Sequence, residues 1–206
     1  MRKSILIFAA ATCLAGANTA FAQEADQQEA PAKAFAGARV EATVGLDQSS
    51  DDAIYSKELT GMRAGVAAGY DVAIGKRVTL GVEAGIGWMV AGHTNFGPYL
   101  PADPNTYQLS AGRDIDVSGR IGYAVSPKTL LFAKAGYSNE TYNVRSSDGR
   151  EFRDRKNDGL RLGAGIEQKL TGNVYAKAEY RYTMGSAPGD NDPKRHQLLT
   201  GFGVRF

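Results

Sequence analysis

Residues 198–206 read Leu-Leu-Thr-Gly-Phe-Gly-Val-Arg-Phe, an alternation of two different sets of side chains. One parity carries Leu198, Phe202 and Val204 together with a threonine, whereas the other carries two glycines and Arg205. Strict alternation is typical of a β-strand whose two faces meet different environments. The printed sequence ends on Phe206, so we expect this strand to be the last element of the fold.

Seven further stretches show the same alternation. The clearest is the third, in which Val78, Leu80 and Val82 alternate with Thr79, a glycine and Glu83. The eight candidate strands cover residues 36–46, 61–72, 77–90, 113–125, 130–139, 159–169, 173–183 and the terminal run. An even number of strands of about 10–12 residues suits a tilted membrane barrel. The sequence therefore predicts an all-β, eight-stranded antiparallel up-and-down transmembrane β-barrel.

The connections between the candidate strands alternate in length. Three are tight turns, near Ala73–Lys76, Ser126–Lys128 and Leu170–Gly172. The others are long and polar, at residues 47–60, 91–112, 140–158 and 184–194. Outer-membrane barrels have short periplasmic turns and longer extracellular loops. This asymmetry predicts that both termini lie in the periplasm and that four loops face the exterior.

The N-terminus has the three regions of a cleaved signal peptide. Arg2 and Lys3 precede an apolar core at Ile5–Leu14, which is too short to span a bilayer, and Ala20-Phe-Ala22 fits a cleavage site. We therefore divide the chain into a signal peptide (1–22), a flexible periplasmic N-terminal segment (23–35) and an outer-membrane β-barrel domain (36–206). Cys13 is removed with the signal, so the exported chain uses no disulfide.

Removing the predicted signal takes away two bases and no acids, which leaves 22 Lys and Arg against 22 Asp and Glu. A chain with balanced charge gives no reason to expect nucleic acid as a partner.

Two features indicate that the apolar face of each strand meets lipid. A soluble up-and-down barrel would also alternate, but with its apolar side inward. Here the aromatic residues of the apolar face fall near strand ends, as the two headgroup regions favour, and a one-residue slip would turn charges into lipid at about 2–4 kcal/mol for each Arg or Lys. The predicted aromatic girdle consists of Tyr70, Trp88, Tyr123, Tyr137, Tyr180 and Tyr182.

The opposite face of the strands mixes glycine with acids and bases. Buried charges must be paired, so we predict a charge network that fills the lumen, and an ion pathway or gate stays open as the alternative. We expect Arg120 to pair with Glu83, because the third and fourth strands are neighbours. The predicted lumen network is Glu41, Arg63, Glu83, Arg120, Lys134, Glu167, Lys177 and Glu179.

The pattern gives little support to catalysis. Clustered carboxylates act as acid–base catalysts in some enzymes, but here bases are at least as numerous. A lipid A deacylase pattern needs His two residues before Ser, and neither His93 nor His196 is followed in that way. We therefore expect a protein that is not an enzyme, with no catalytic, cofactor-binding or metal-binding residue. A lipid A-modifying enzyme remains the remote alternative.

Residues 140–158 form a predicted loop in which bases and acids balance around Tyr142 and Phe152. Bases beside aromatics suit glycan or lipid phosphate. A solvated loop explains the same composition, so both interpretations stay open.

Several strand motifs resemble a known family. They are Leu131-Phe-Ala-Lys-Ala-Gly-Tyr137, Gly163-Ala-Gly-Ile166, Ala178-Glu-Tyr-Arg-Tyr-Thr183 and Gly203-Val-Arg-Phe206. They are similar to the opacity-type, OmpA-like small outer-membrane β-barrel (porin) family of Gram-negative bacteria, over residues 36–206.

The resemblance implies a monomeric barrel in the cell outer membrane, in contact with lipid and lipopolysaccharide. It implies insertion by the barrel-assembly machinery, with Phe206 as the assembly signal. Family roles range from envelope integrity to adhesion through the extracellular loops, where a host or surface ligand is possible. A small porin-like diffusion channel is the alternative.

Overall fold

The computed structural model describes residues 30–51, 57–92, 94–96, 106–148, 151–186 and 194–206. The predicted signal peptide and residues 23–29 lie outside the described residues. Within them, no helix has the length and apolar composition needed to cross a membrane. The strands are β1 (Gly37–Asp51), β2 (Lys57–Ala73), β3 (Val78–Ala91), β4 (Thr94–Phe96), β5 (Tyr107–Ser126), β6 (Thr129–Ser146), β7 (Glu151–Thr171), β8 (Val174–Ser186) and β9 (Lys194–Arg205).

Eight of these strands close into a barrel. Each pairs antiparallel with its neighbours in the order β3-β2-β1-β9-β8-β7-β6-β5, and β3 pairs with β5 to complete the ring. The three-residue β4 pairs with β5 alone, beyond the point where β3 ends. The prediction of an eight-stranded antiparallel barrel is confirmed.

The two ends of the barrel differ. The short links at residues 74–77, 127–128 and 172–173 lie at the end where β1 begins and β9 finishes. We call this the turn end and the opposite one the loop end. The bounds of the tight turns are within two residues of their predicted positions.

Strands β5, β6 and β7 are much longer than predicted. The sixth candidate strand was expected at residues 159–169, whereas β7 runs over 21 residues, Glu151–Thr171. A membrane strand needs about 9–11 residues, so backbone pairing continues far past a bilayer at the loop end. The sequence of residues 151–158 does not alternate between apolar and polar side chains, so the sequence pattern missed the extension. The side chains of residues 142–145 and 151–157 lie outside the description.

The barrel is apolar outside and charged inside. Val82, Val117 and Phe202 point outward and are 62, 60 and 63% exposed, whereas the inward set is dominated by buried charges. A soluble barrel has the reverse arrangement, and an apolar surface this extensive requires a lipid environment. Of the predicted girdle residues, Tyr182 is half-buried, and the others are exposed on the outer surface: Tyr70, Trp88, Tyr123, Tyr137 and Tyr180.

The described part of the N-terminal segment, Pro31–Phe35, differs from the expectation of a flexible lead-in. Pro31–Phe35 forms a 3-10 turn in which Ala32 and Phe35 are completely buried. Phe35 packs against Ala124 and Leu130 at the turn end of the lumen. The polar composition of the preceding residues concealed this short apolar anchor. Residues before the predicted barrel boundary at residue 36 are therefore part of the folded barrel.

The seam between β1 and β9 depends on a glycine. Gly37 has a φ of 113°, and a Cβ placed on it would lie 2.0 Å from the Phe206 carbonyl oxygen. On the next residue, the Ala38 carbonyl accepts a hydrogen bond from the Phe206 N–H at 2.8 Å. Only glycine allows both this backbone conformation and the close approach of the terminal residue.

We predict that Gly37→Ala destabilises the barrel by about 1–3 kcal/mol or more, because a strained backbone residue usually costs that amount. Gly75→Ala is the matched control, because a Cβ on Gly75 meets no atom within 4 Å. The measurement is the temperature at which the fast-migrating folded band disappears from detergent gels. Equal midpoints for the two variants would contradict the role of Gly37.

Candidate functional site

The lumen contains equal numbers of buried acids and bases. All eight predicted network residues lie inside the barrel, with relative exposures of 7% or less. Among the described residues the buried acids are Glu41, Asp47, Asp71, Glu83, Asp114, Asp116, Glu140, Glu167 and Glu179. The buried bases are Arg39, Arg63, Arg120, Lys134, Arg161, Lys177, Arg181, Arg195 and Arg205. Among the described lumen residues, the formal charges of nine acids and nine bases therefore cancel.

The cluster nearest the turn end is built around Asp71. One oxygen, Oδ2, accepts hydrogen bonds from Arg39 (2.8 Å), Arg120 (3.1 Å) and Arg205 (2.8 Å). Glu167 accepts from Arg120 and Arg205 at 2.7 and 2.9 Å. These five residues, the turn-end cluster, come from β1, β2, β5, β7 and β9, and so they join walls that are distant along the sheet.

Aromatic rings support this cluster. The Arg120 guanidinium lies 4.2 Å from the centre of the Phe132 ring, and that of Arg205 lies 5.6 Å from the centre of the Tyr175 ring. Guanidinium groups stack favourably on aromatic faces. Tyr175 needs a glycine opposite it, because a Cβ on Gly203 would lie 2.3 Å from the ring.

The central cluster contains three carboxylates and two ammonium groups. Glu41, Glu83 and Glu179 offer oxygens within 4.8 Å of one another, a spacing that would suit a metal ion. Lys134 Nζ lies 2.5 Å from Glu83 and 2.7 Å from Glu179, while Lys177 Nζ binds Glu179 at 2.9 Å and also contacts Glu41. The carboxylates are thus already neutralised by cations of the protein itself.

Arg39 and Arg181 connect the central cluster to its neighbours. Arg39 reaches Glu83 at 2.7 Å in addition to Asp71 of the turn-end cluster. Arg181 donates to Glu179 at 2.7 Å and lies 3.5 Å from Asp116. Ion pairs therefore continue along the lumen axis without an interruption between the clusters.

The loop-end cluster closes the other part of the lumen. Arg63 lies 2.8 Å from Asp47, 3.1 Å from Asp114 and 2.7 Å from Glu140. Arg195 contacts the same three acids. The remaining base, Arg161, bridges Asp114 at 2.8 Å and Asp116 at 3.0 Å, which joins this cluster to the central one.

Such an arrangement is suited to structure and closure. Removing one member of a buried ion pair costs about 3–5 kcal/mol, because its partner is left uncompensated. The lumen of an eight-stranded barrel is so narrow that side chains can fill it completely. The lumen is therefore packed with charged side chains that are paired with one another.

A polar cluster lies on the outer surface at the loop end. Tyr180 Oη and His196 Nδ1 are 2.6 Å apart, and the ring centres of His196 and Tyr182 are 4.9 Å apart. His196 is exposed, as expected for a strand-end residue at headgroup level. The other histidine, His93, lies outside the described residues.

Comparison with known proteins identifies the family. A model of the family described as outer membrane protein beta-barrel domain matches residues 6–206. The chain belongs to this family. The predicted resemblance and the outer-membrane location are therefore confirmed. We expect the turn end to face the periplasm, as the short turns of other outer-membrane barrels do.

Relatives and solved structures agree with this assignment. The chain is 26% identical to the 25 kDa outer-membrane immunogenic protein of Brucella ovis, over 99% of this chain and 98% of that protein. The crystal structure of Neisserial surface protein A matches 82% of this chain and 97% of its own, with a TM-score of 0.60 and 18% identity. Ail, the attachment invasion locus protein of Yersinia pestis, matches 83% and 99%, with a TM-score of 0.50 and 16% identity. Both structures share the barrel fold with this family member.

The predicted pairing of Arg120 with Glu83 is wrong. In the β3–β5 register Arg120 lies opposite Gly81, whereas Glu83 lies opposite Ser118. Arg120 is therefore closer to the turn end and binds Asp71 and Glu167, while Glu83 binds Arg39 and Lys134. Neighbouring strands alone do not determine which charges meet, because the register sets their depth.

Ten members of the network were not predicted as such. On each strand, these residues are separated by an even number of positions from other inward-facing residues. This alternation is the signal that would have identified them. Asp47 and Glu140 were missed for a further reason, because they lie one residue beyond the predicted strand ends. The ten are Arg39, Asp47, Asp71, Asp114, Asp116, Glu140, Arg161, Arg181, Arg195 and Arg205.

We predict that Arg120→Gln and Glu167→Gln are coupled by more than about 0.5 kcal/mol in a double-mutant cycle, because each single change strands the other charge. Arg120→Gln with Glu140→Gln is the control, since Arg120 pairs with Asp71 and Glu167, whereas Glu140 pairs with Arg63 and Arg195 in a different cluster. Unfolding free energies in denaturant supply the measurement. Additivity of the first pair would contradict the network as described.

Proposed function

We propose that this protein is a non-enzymatic structural protein of the outer membrane, a scaffold for envelope integrity or adhesion through four extracellular loops. The observation that carries the proposal is the filled lumen, in which nine acids and nine bases are buried against one another. An interior packed with paired charges supports a rigid scaffold, whereas an open pathway would need a continuous aqueous passage.

The extended strands support a role at the cell surface. Beyond the bilayer, β4 to β7 continue as a four-stranded sheet, with Phe96 opposite Tyr107, Tyr107 opposite Ser146 and Arg145 opposite Glu151. Backbone hydrogen bonds hold such a sheet together without lipid on either face. The extension would carry the loop tips away from the membrane, where a host or surface ligand could reach them.

Two observations support a non-enzymatic role. The exposed His196 has Tyr180 as its hydrogen-bond partner, and no serine stands two residues after it. The lumen carboxylates Glu41, Glu83 and Glu179 are held by lysines, which removes the free acid or base that general catalysis requires. A lipid A-modifying enzyme stays as the remote alternative.

One observation favours a second candidate, a small diffusion channel. Buried polar atoms without a hydrogen-bond partner among the described residues include Asp71 Oδ1, Arg120 Nε and Arg205 Nε. Such atoms are readily satisfied by water, and a hydrated lumen is the first requirement of a channel.

The proposed partners follow from the surface chemistry. Outer-membrane lipid would cover the apolar outer face, and lipopolysaccharide would meet the polar residues at the loop end. The barrel-assembly machinery would recognise Phe206 as the assembly signal. We expect the protein to be a monomer. The Brucella ovis relative is named as immunogenic, which agrees with display of the loops at the surface.

We predict that purified protein inserted in a planar bilayer shows no steady conductance, because paired charges close the lumen. Single-channel recording is the measurement, with heat-denatured protein as the control for detergent leaks. A large and stable conductance would contradict the closed scaffold and favour the diffusion channel.

We also predict that an epitope tag inserted after Asp148, in the link between β6 and β7, is bound by antibody on intact cells. The same tag inserted after Pro127, in the turn between β5 and β6, should be bound only after the outer membrane is permeabilised. Tags that behave alike on intact cells would contradict display at the loop end.

A further inference from the structure

The turn-end mouth of the barrel is covered from within by the N-terminal segment. We propose that Ala30–Ala36 is an internal plug that closes the periplasmic mouth of the lumen and is latched to β9 through Arg205. The proposal does not depend on what the extracellular loops bind. We refer to these residues as the N-terminal plug.

The plug inserts an apolar wedge into a charged lumen. Ala32 and Phe35 have no exposed surface. Phe35 packs on Ala124 and Leu130, which are the inward-facing residues next to the turn between β5 and β6. A flexible periplasmic segment would leave Phe35 in water, so this burial is a specific feature of the fold.

The backbone of the plug is held at separate points around the rim. Ala32 donates its N–H to the Lys76 carbonyl, in the turn after β2, at 3.1 Å. From β7, Lys169 Nζ donates to the Ala34 carbonyl at 3.2 Å. From β9, Arg205 Nη1 donates to the Phe35 carbonyl at 2.6 Å. Together with the Phe35 contact on β5 and β6, these bonds span the mouth from several sides.

Arg205 connects the plug with the ion-paired lumen. Its guanidinium binds the Phe35 carbonyl, Asp71 at 2.8 Å and Glu167 at 2.9 Å. The plug carbonyl is therefore one of three acceptors around the same cation, at the layer where the lumen would otherwise open to the periplasm. Without it, periplasmic water would reach the turn-end cluster.

The residues that bind the plug come together only when the barrel is closed. Arg205 is the last residue of β9, where it lies opposite Arg39 of β1, while the preceding Val204 pairs with Val174 of β8. Gly37 turns the chain from the plug into β1, beside the backbone of Phe206. Closure of the β1–β9 seam thus brings the latch and the plug together, and a seated plug would oppose opening of that seam.

The test is the reactivity of a buried thiol in full-length protein reconstituted in nanodiscs. Ala124→Cys places one thiol under the plug, and Ser126→Cys places one at the turn-end rim. With a water-soluble maleimide, we expect the thiol at 124 to react at least tenfold more slowly than the thiol at 126. Adding Phe35→Ala should raise the rate at 124 at least tenfold.

Two control variants test whether loss of the Phe35 ring causes the faster reaction at position 124. Phe35→Leu keeps most of the wedge and should leave the rate low, as should Lys33→Ala at an exposed position of the same turn. Rates are scored only on the heat-modifiable folded band. The proposal is overturned if the thiol at 124 reacts as fast as the thiol at 126 when Phe35 is intact, or if Phe35→Ala leaves it slow.

A measurement on the unsubstituted protein covers the case in which Phe35→Ala does not fold. Two residues of the plug donate backbone hydrogen bonds: Ala32 to the Lys76 carbonyl on the rim, and Ala36 to the Lys33 carbonyl within the plug. A seated plug should slow amide hydrogen exchange at both by at least a hundredfold relative to an unstructured chain. Exchange at the unstructured rate would overturn the proposal.

Discussion

A charged side chain in this barrel has only one tolerable position, which is inside and opposite a charge of the other sign. On the outer face each Arg or Lys would cost about 2–4 kcal/mol at the bilayer midplane. On the inner face an unpaired charge would be at least as unfavourable. The alternation of every strand and the register between strands both follow from this double constraint, since a slip of one residue exchanges the two faces.

The lumen satisfies the constraint with a neutral set of nine acids and nine bases. Several carboxylates serve more than one cation, as Asp71 does for three arginines. Glycines opposite large side chains make room for them, as Gly203 does for the Tyr175 ring. Under the proposed function, this interior holds the barrel together, and the extensions at the loop end are the part that is free to vary.

The strand bounds could be predicted from the sequence only where the two faces of a strand meet different environments. Where one face meets lipid and the other the lumen, as in residues 77–90, the strand bounds were correct to within one residue. In Glu151–Asp158, by contrast, the sequence does not alternate although the strand continues.

Contacts that depend on depth were also hidden from the sequence. The partner of Arg120 is set by the β3–β5 register and by reach across the lumen, neither of which is encoded locally. Phe35 was missed for a different reason, because a single aromatic in a polar segment has no periodicity. Its burial becomes visible only when the mouth of the barrel is in place.

The central claim is that the outer face meets lipid and that the inner face meets neither lipid nor bulk water. Methyl NMR of the unsubstituted protein in nanodiscs tests this claim most directly, using a nitroxide-labelled lipid and a small water-soluble nitroxide in turn. The outward Val82 and Val117 should be broadened by the labelled lipid, whereas the inward Leu130 and Leu199 should be broadened by neither reagent. Broadening of Leu130 and Leu199 by the water-soluble reagent would contradict a closed, ion-paired lumen.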